Sequence, residues 1–279
     1  MDLVFSDIHA DIDALDTILH VVTSNDFAKK YGSFSRIINL GDLLERGTHP
    51  KEVLVRMQEL EKNYPVFSVI GNHDEAFLYN KKVSGSSLAS LDAHSRLTKD
   101  ALSFFAQNKD GTYGQQQFID AKYGLFCVHG GPLDPIKITP TNAYDESWLY
   151  QRSWQRLSEE DFEYFSYAGY HYKAASAFDE VKNHLSNFVI LCGHQHEEAA
   201  VIQNTTIKEI YNKLKPTKEQ LFGFVLEKRE IEIDNQSNYL VRLGLGGPEG
   251  DYHKEAFAGP HFAIVQDDPK KISLFTIIP

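Results

Sequence analysis

The amino-acid sequence predicts an α/β sandwich folded as one unit. Three observations carry that prediction. Short β-rich runs alternate with segments of helical periodicity through the first half of the chain. The 279 residues are a length that α/β folds often use as a single unit, and a chain of this size buries roughly three-quarters of its unfolded surface. No internal repeat, low-complexity tract or linker-like border divides it.

Taken in order, residues 3–5 read as a buried strand. Residues 11–23 read as a helix, with Ile12, Leu15, Ile18, Leu19 and Val22 on one face. Residues 36–40 form the next strand. Residues 50–62 form a helix with Pro50 suited to its first turn. A strand follows at 66–70 and a helix at 92–107. Residues 117–121 and 125–128 read as a hairpin around Lys122-Tyr123-Gly124, and 188–192 as another buried strand. The C-terminus returns to strands at 262–266 and 272–277. Two stretches are expected to elaborate the same domain. Residues 144–178 are crowded with aromatics and read as a helical cap. Residues 207–238 read as an insertion, with a basic helical start, Lys208 to Lys218, and a hairpin turning at 234–237. A single domain over 1–279 is expected.

There are 28 basic and 39 acidic residues, a net charge of −11. Such a chain does not attract nucleic acid or an anionic membrane through its long-range field. It also repels an anionic substrate, so a phosphate site here needs bound cations or clustered arginines. The two cysteines, Cys127 and Cys192, each stand two residues before a histidine and read as small residues packed under a site. No stretch approaches the ~20 apolar residues of a membrane span, and the apolar run at the start is too short for a signal peptide. A soluble cytoplasmic protein is expected, in which the sequons at Asn204 and Asn235 have no meaning.

Five short segments follow five of the strands: Asp7-Ile8-His9, Gly41-Asp42, Gly71-Asn72-His73-Asp74, His129-Gly130-Gly131 and Gly193-His194-Gln195-His196. Ligands of open α/β sheets bind beyond the carboxyl ends of strands, so five such ends point to one site. Imidazole and carboxylate together suit Zn, Fe, Mn and similar ions. A carboxylate can bridge two metals, and Asp42 is the natural bridge. Each piece alone is weak. Asp-x-His is more often a capped helix start, Gly-Asp is usually a turn, and one histidine is often a satisfied core residue. The set in this order is specific.

The order of these motifs resembles the calcineurin-like metallophosphoesterase superfamily, from residue 1 to about 203 and again from about Gly244. Gly41-Asp42-Leu43-Leu44-Glu45-Arg46-Gly47 and Phe126-Cys127-Val128-His129-Gly130-Gly131 resemble the serine/threonine phosphoprotein phosphatases and diadenosine tetraphosphate hydrolases. Glu45 stands where that group has Asp, and Asp74 where it has Glu. Asp74 and the complete His194/His196 pair look more like small bacterial and archaeal phosphodiesterases. Gly244-Leu245-Gly246-Gly247-Pro248-Glu249 partly resembles their C-terminal segment, with Glu249 at its arginine position.

The resemblance implies a four-layer α/β/β/α sandwich of two mixed β-sheets flanked by helices. It implies two divalent or trivalent ions (Mn, Fe, Zn or Ni). Asp7, His9, Asp42 and His196 would hold one, and Asp42, Asn72, His129 and His194 the other. His73 would act as general acid, oriented by Asp74, and Arg46 would contact a phosphate oxygen. Asn72, His73 and, at second rank, Arg152 and Arg156 would also meet the substrate. Two metals can clamp both sides of an in-line displacement and supply a bridging hydroxide as nucleophile. The expected activity is hydrolysis of a nucleotide-like phosphodiester or polyphosphate, or of a phosphomonoester. Alternatives are a serine/threonine-type protein phosphatase acting on a phosphoprotein and, in another class, a non-catalytic metal-binding scaffold. A small phosphorylated partner is expected, with neither membrane nor nucleic acid. The other histidines, His20, His49, His94, His171, His184, His253 and His261, are expected at the surface or in the core.

Overall fold

The computed structural model of the protein describes residues 1–81, 85–160, 169–248 and 259–278. Its strands in chain order are β1 (Asp2–Phe5), β2 (Arg36–Asn39), β3 (Val66–Ser68), β4 (Gln117–Asp120), β5 (Leu125–Val128), β6 (Arg156–Leu157), β7 (His171–Tyr172) and β8 (Val189–Cys192). They continue with β9 (Ala199–Gln203), β10 (Ile207–Glu209), β11 (Thr217–Leu221), β12 (Phe224–Glu232), β13 (Asn238–Arg242), β14 (His261–Asp267) and β15 (Lys270–Ile278). The α-helices are α1 (Ile12–Thr23), α2 (Asn25–Tyr31), α3 (Pro50–Glu61), α4 (Asn72–Leu78), α5 (Leu88–Ser95), α6 (Lys99–Leu102), α7 (Pro135–Ile138) and α8 (Ala174–Val181).

One sheet has seven strands in the order β11-β12-β15-β14-β1-β2-β3, and the other six in the order β10-β9-β13-β8-β5-β4. Both are mixed. β1, β2 and β3 run parallel, as do β5, β8 and β13; an antiparallel strand pairs with β1 on one side of the first trio, and antiparallel strands lie on both sides of the second. Strand alternation builds three apolar layers from the two sheets. Leu3, Phe5 and Ile37 face Leu15, Ile18, Val53 and Leu54 of α1 and α3. Val4 and Ile38 point the other way, into a layer shared with Leu125, Cys127, Val189 and Leu191. Phe126, Val128, Ile190 and Cys192 leave the second sheet on its far face and meet Ala177, Phe178 and Val181 of α8. The result is the α/β/β/α sandwich. Strands covered on both faces read as continuous apolar runs, which is why the central ones were recognisable in the sequence.

Three expectations are corrected. Residues 92–107 do not form one helix. α5 ends at Ser95, and Thr98 starts α6 by accepting the Ala101 amide at 3.3 Å. In 144–178 the described cap residues adopt 3-10 turns, Tyr144–Tyr150 and Arg152–Trp154, and the paired β6 and β7; α8 is the α-helix of the stretch. Phe162, Tyr164, Phe165 and Tyr167 lie outside the described residues. Residues 207–238 supply strands to both sheets, and the basic stretch expected to be helical holds β10, a 3-10 turn at Tyr211–Lys213 and β11. The hairpin turns at Phe222-Gly223, both with positive φ, as a two-residue loop requires. The turn at 234–237 instead carries the chain from β12 in the first sheet to β13 in the second. The Asp234 carboxylate closes it, accepting from the Gln236 amide at 2.7 Å and from the Ser237 and Tyr239 hydroxyls at 2.9 Å.

Candidate metal centre

The loops after β1, β2, β3, β5 and β8 meet at one edge of the sandwich. Backbone bonds tie the first two together: Asp7 N–H donates to the Gly41 carbonyl at 2.9 Å, and His9 N–H to that of Asp42 at 2.9 Å. Gly193 N–H reaches the His129 carbonyl at 2.8 Å. The backbone is strained where these loops turn. Among the described residues eleven non-glycines have positive φ, and eight belong here: Asp7, His9, Ala10, Asp42, Glu45, Arg46, His194 and His196. Such a concentration marks a site whose surroundings hold it in shape. The loops also approach very closely. A Cβ on Gly193 would lie 1.9 Å from the Ser6 hydroxyl and 2.4 Å from Asp7 Oδ2, and one on Gly71 would lie 2.0 Å from Asp42 Oδ1.

Two groups of ligand-type atoms result, Asp7 with His9 and His196, and Asp42 with His129 and His194. Within each, the atoms lie within 4.8 Å of one another. His9 Nε2 and His196 Nε2 are 3.1 Å apart, and His196 Nε2 is 3.5 Å from Asp7 Oδ1. His129 Nε2 stands 3.2 Å from Asp42 Oδ2 and 3.0 Å from Asn72 Oδ1. Asp42 Oδ2 is also 3.7 Å from His9 Nε2, so this one oxygen faces both groups.

Each carboxylate divides its labour. Asp7 Oδ2 accepts the His194 amide at 3.0 Å, and Asp42 Oδ1 accepts the His73 amide at 2.9 Å. The other oxygens, Asp7 Oδ1 and Asp42 Oδ2, are buried and meet only ligand-type ring nitrogens, of His196 at 3.5 Å and of His129 at 3.2 Å, without a well-aligned hydrogen bond, and both ring nitrogens of His194 are buried without a partner. Leaving such atoms unmet costs roughly 1–3 kcal/mol each. Two carboxylate oxygens and one imidazole lone pair without well-aligned partners, converging on one place, fit divalent cations. His9 and His129 turn Nδ1 toward the carbonyls of Leu44 and Leu40, at 3.3 and 2.6 Å, which aims Nε2 inward. Burial, helped by the nearby arginine charge, holds His9 and His194 neutral, the form that can ligate. Burial disfavours charge on His129 too, but the Asp42 and Asp7 carboxylates outweigh it and raise its pKa to about 9.

His73 lies beside the groups, its ring 5.0 Å from that of His9 in an edge-on contact. The carboxylate nearest its ring is not the expected one. Asp74 faces away and accepts the amides of Asp42, Leu43, Leu44 and Gly71 at 2.9 to 3.0 Å. It is the post on which two loops hang. Glu45 Oε2 instead stands 3.5 Å from His73 Nδ1, and Arg46 Nη2 is 3.3 Å from His73 Nε2. Glu45 was legible as the residue preceding Arg46-Gly47, but its contact was not. His94, expected only as surface or core, is buried and accepts the Glu45 amide at 2.7 Å.

The arginines are also redistributed. The electrostatic partners of Arg152 are Asp134 and Glu180, and its carbonyl accepts the Gly130 and Gly131 amides. Arg156 lies within electrostatic reach of the metal groups: burial and the charge of Arg46 lower its pKa to about 10, while Asp42 and Asp7 act in the opposite sense. The Gly246 and Gly247 amides bind the Ser6 and Asp7 carbonyls at 3.0 and 2.9 Å, supporting the first loop. Glu249 and His253 fall outside the described residues. Both cysteines are buried and unpaired, and burial pushes both thiols up.

Residues 3–198 match the family model described as calcineurin-like phosphoesterase. Solved structures share the fold at low identity. A metallophosphoesterase from Sphaerobacter thermophilus superposes with a TM-score of 0.56 at 18% identity, covering 100% of this chain and 88% of that one. A hypothetical protein from Pyrococcus horikoshii OT3 gives 0.55 at 14% identity, with 100% and 88% covered. A protein proposed to be a diadenosine tetraphosphatase gives 0.50 at 14% identity, with 99% and 93% covered. No curated protein matches at a significant level.

Proposed function

The chain belongs to the calcineurin-like phosphoesterase family and is a metal-dependent phosphoester hydrolase, and from that premise we propose how its own residues divide the work. Asp7, His9, Asp42 and His196 hold one ion, and Asp42, Asn72, His129 and His194 the other. The observation that carries this reading is Asp42 Oδ2, one buried oxygen that faces both groups, 3.2 Å from His129 Nε2 and 3.7 Å from His9 Nε2. When bound, the ions would supply Lewis acidity toward the phosphoryl oxygens and would lower the pKa of water.

The protein supplies the rest. His73 is the general acid for the departing oxygen. Its Nδ1 faces Glu45, so Nε2 is the atom that can meet substrate. Arg46 rests against that same nitrogen and, having only donors, meets it unprotonated. When the guanidinium turns to a phosphate oxygen, Nε2 is freed to take a proton from water and pass it to the departing oxygen. Arg156 adds a second buried cation, offsetting the −11 charge where the anion must sit. Asp74 positions the loops and takes no part in proton transfer.

The substrate is a small phosphorylated molecule, with a nucleotide diester or polyphosphate placed first and a phosphomonoester second. The close Arg46–His73 pairing favours the second. Metal-loaded protein (Mn, Zn, Fe or Ni) is to be assayed on p-nitrophenyl phosphate, bis-p-nitrophenyl phosphate, diadenosine tetraphosphate and a phosphopeptide. Turnover of bis-p-nitrophenyl phosphate or diadenosine tetraphosphate above the other two is expected. Turnover of the phosphopeptide alone would instead mark a protein phosphatase.

A further inference from the structure

The loop after β2 carries two strained residues in a row. Glu45 and Arg46 have φ of 68° and 64°, a region that non-glycine residues keep only where the surroundings over-determine it. One side of the loop is fixed from the metal groups, where Gly47 N–H donates to the His9 carbonyl at 3.0 Å. The other side meets the segment that runs from Ser86 into α5.

Three hydrogen bonds join that segment to the strained pair. The buried His94 ring accepts the Glu45 amide through Nε2 at 2.7 Å. The Ser86 hydroxyl accepts the Arg46 amide at 3.1 Å and donates to Glu45 Oε2 at 3.0 Å. That same Oε2 is the oxygen that faces His73 Nδ1. Both residues beside His73 therefore hang on one segment, by their amides and, for Glu45, by the carboxylate as well.

His94 can do this in one tautomer. Nδ1 lies 2.8 Å from the Ser90 carbonyl and donates to it, which leaves Nε2 bare as an acceptor. Burial lowers the pKa of the ring, against the Ser90 carbonyl and the Glu45 charge, and so favours the neutral form. Phe77 of α4 meets the imidazole edge-on, with centroids 5.5 Å apart, and α4 is the helix that begins at Asn72-His73. His73 and the histidine behind its carboxylate partner thus share a support.

We propose that His94 is a positioning residue for the hydrolytic reaction: by holding the Glu45 amide it sets the Glu45 carboxylate against His73, and Ser86 completes the clamp. This rests on the reading of His73 as the general acid. A leucine at 94 leaves the buried Glu45 amide without an acceptor, whereas a glutamine carries a carboxamide oxygen that can take the place of Nε2.

Zn-loaded variants separate positioning from packing. His94→Leu should lower kcat on bis-p-nitrophenyl phosphate about tenfold per metal-loaded chain, with KM little changed. His94→Gln should recover most of that loss. Ser86→Ala, at a half-buried position, should lower kcat about threefold. Amide hydrogen exchange at Glu45 should speed up about tenfold in His94→Leu, while Leu43 and Leu44, held by Asp74, keep their rates. Exchange needs no turnover. An unaltered protein that hydrolyses nothing would defeat the phosphoesterase reading, and the exchange result would still decide whether the clamp exists. Unchanged kcat in His94→Leu would overturn the proposal, as would His94→Gln no faster than His94→Leu, or unaltered exchange at Glu45. If His94→Leu does not fold, unchanged kcat in Ser86→Ala overturns it alone.

Discussion

Asp42 is the residue on which the site turns. One of its oxygens is spent on the His73 amide and the other faces both ligand groups. Asp42→Ala should therefore abolish binding of both ions, read by elemental analysis after dialysis, whereas His9→Ala should spare one of them. His73→Ala should keep its metal and lose about 10²–10⁴-fold in kcat, the usual contribution of a positioned acid. Glu45 acts through His73, so Glu45→Gln should lower kcat by about tenfold and shift the alkaline limb of its pH profile, which the general acid sets, with KM little changed. A purely structural Glu45 would leave that limb in place. At this scale the sequence was most informative about ligands, because metal chemistry restricts residue type. It was least informative about contacts between loops. Nothing in Gly71-Asn72-His73-Asp74 says that Asp74 turns toward the amides of Asp42, Leu43 and Leu44, or that Glu45 takes the place beside His73.

The loops after β2 and β3 are one structural element held by Asp74. Asp74→Ala would leave four amides without their acceptor, and a stability loss on the order of 4 kcal/mol is expected by denaturant unfolding. Full stability in that variant would refute its role as the post. The loop after β5 carries the pH dependence. His129 in the metal-free protein has its pKa raised to about 9, against about 6.5 in an unfolded chain. Its ion-pair stabilisation is thus complete below about 6.5 and lost as pH rises through about 9. A metal must displace that proton. Affinity at this group should climb about tenfold per pH unit and level off near 9, as titration calorimetry can follow. Element boundaries were legible where both faces of a strand are buried, as in β1, β5 and β8. They were obscure in β10 and β11, whose residues are largely exposed and so carry no apolar signal of either period.

At the scale of the whole molecule, the two sheets bring five strand ends to one edge, and an acidic chain gathers Arg46 and Arg156 there. Sheet membership is the part the sequence withheld. β12 and β13 are consecutive and joined by a tight turn, yet they belong to different sheets. Only packing between distant segments decides that. Helices covering the two outer faces and a shared apolar layer between the sheets make the loop edge a rigid base. Within the described residues, no helix is long and apolar enough to cross a membrane. Metal binding should be felt globally, since an ion at a hundred times its Kd stabilises the folded state by about 2.7 kcal/mol, and Tm should rise with each ion bound. The most direct test is a titration of metal-free protein with Mn, following bis-p-nitrophenyl phosphate hydrolysis against equivalents bound. The rate should climb until two ions are held per chain and then level off. Saturation at one equivalent, or no hydrolysis with both groups filled, would contradict a centre shared through Asp42.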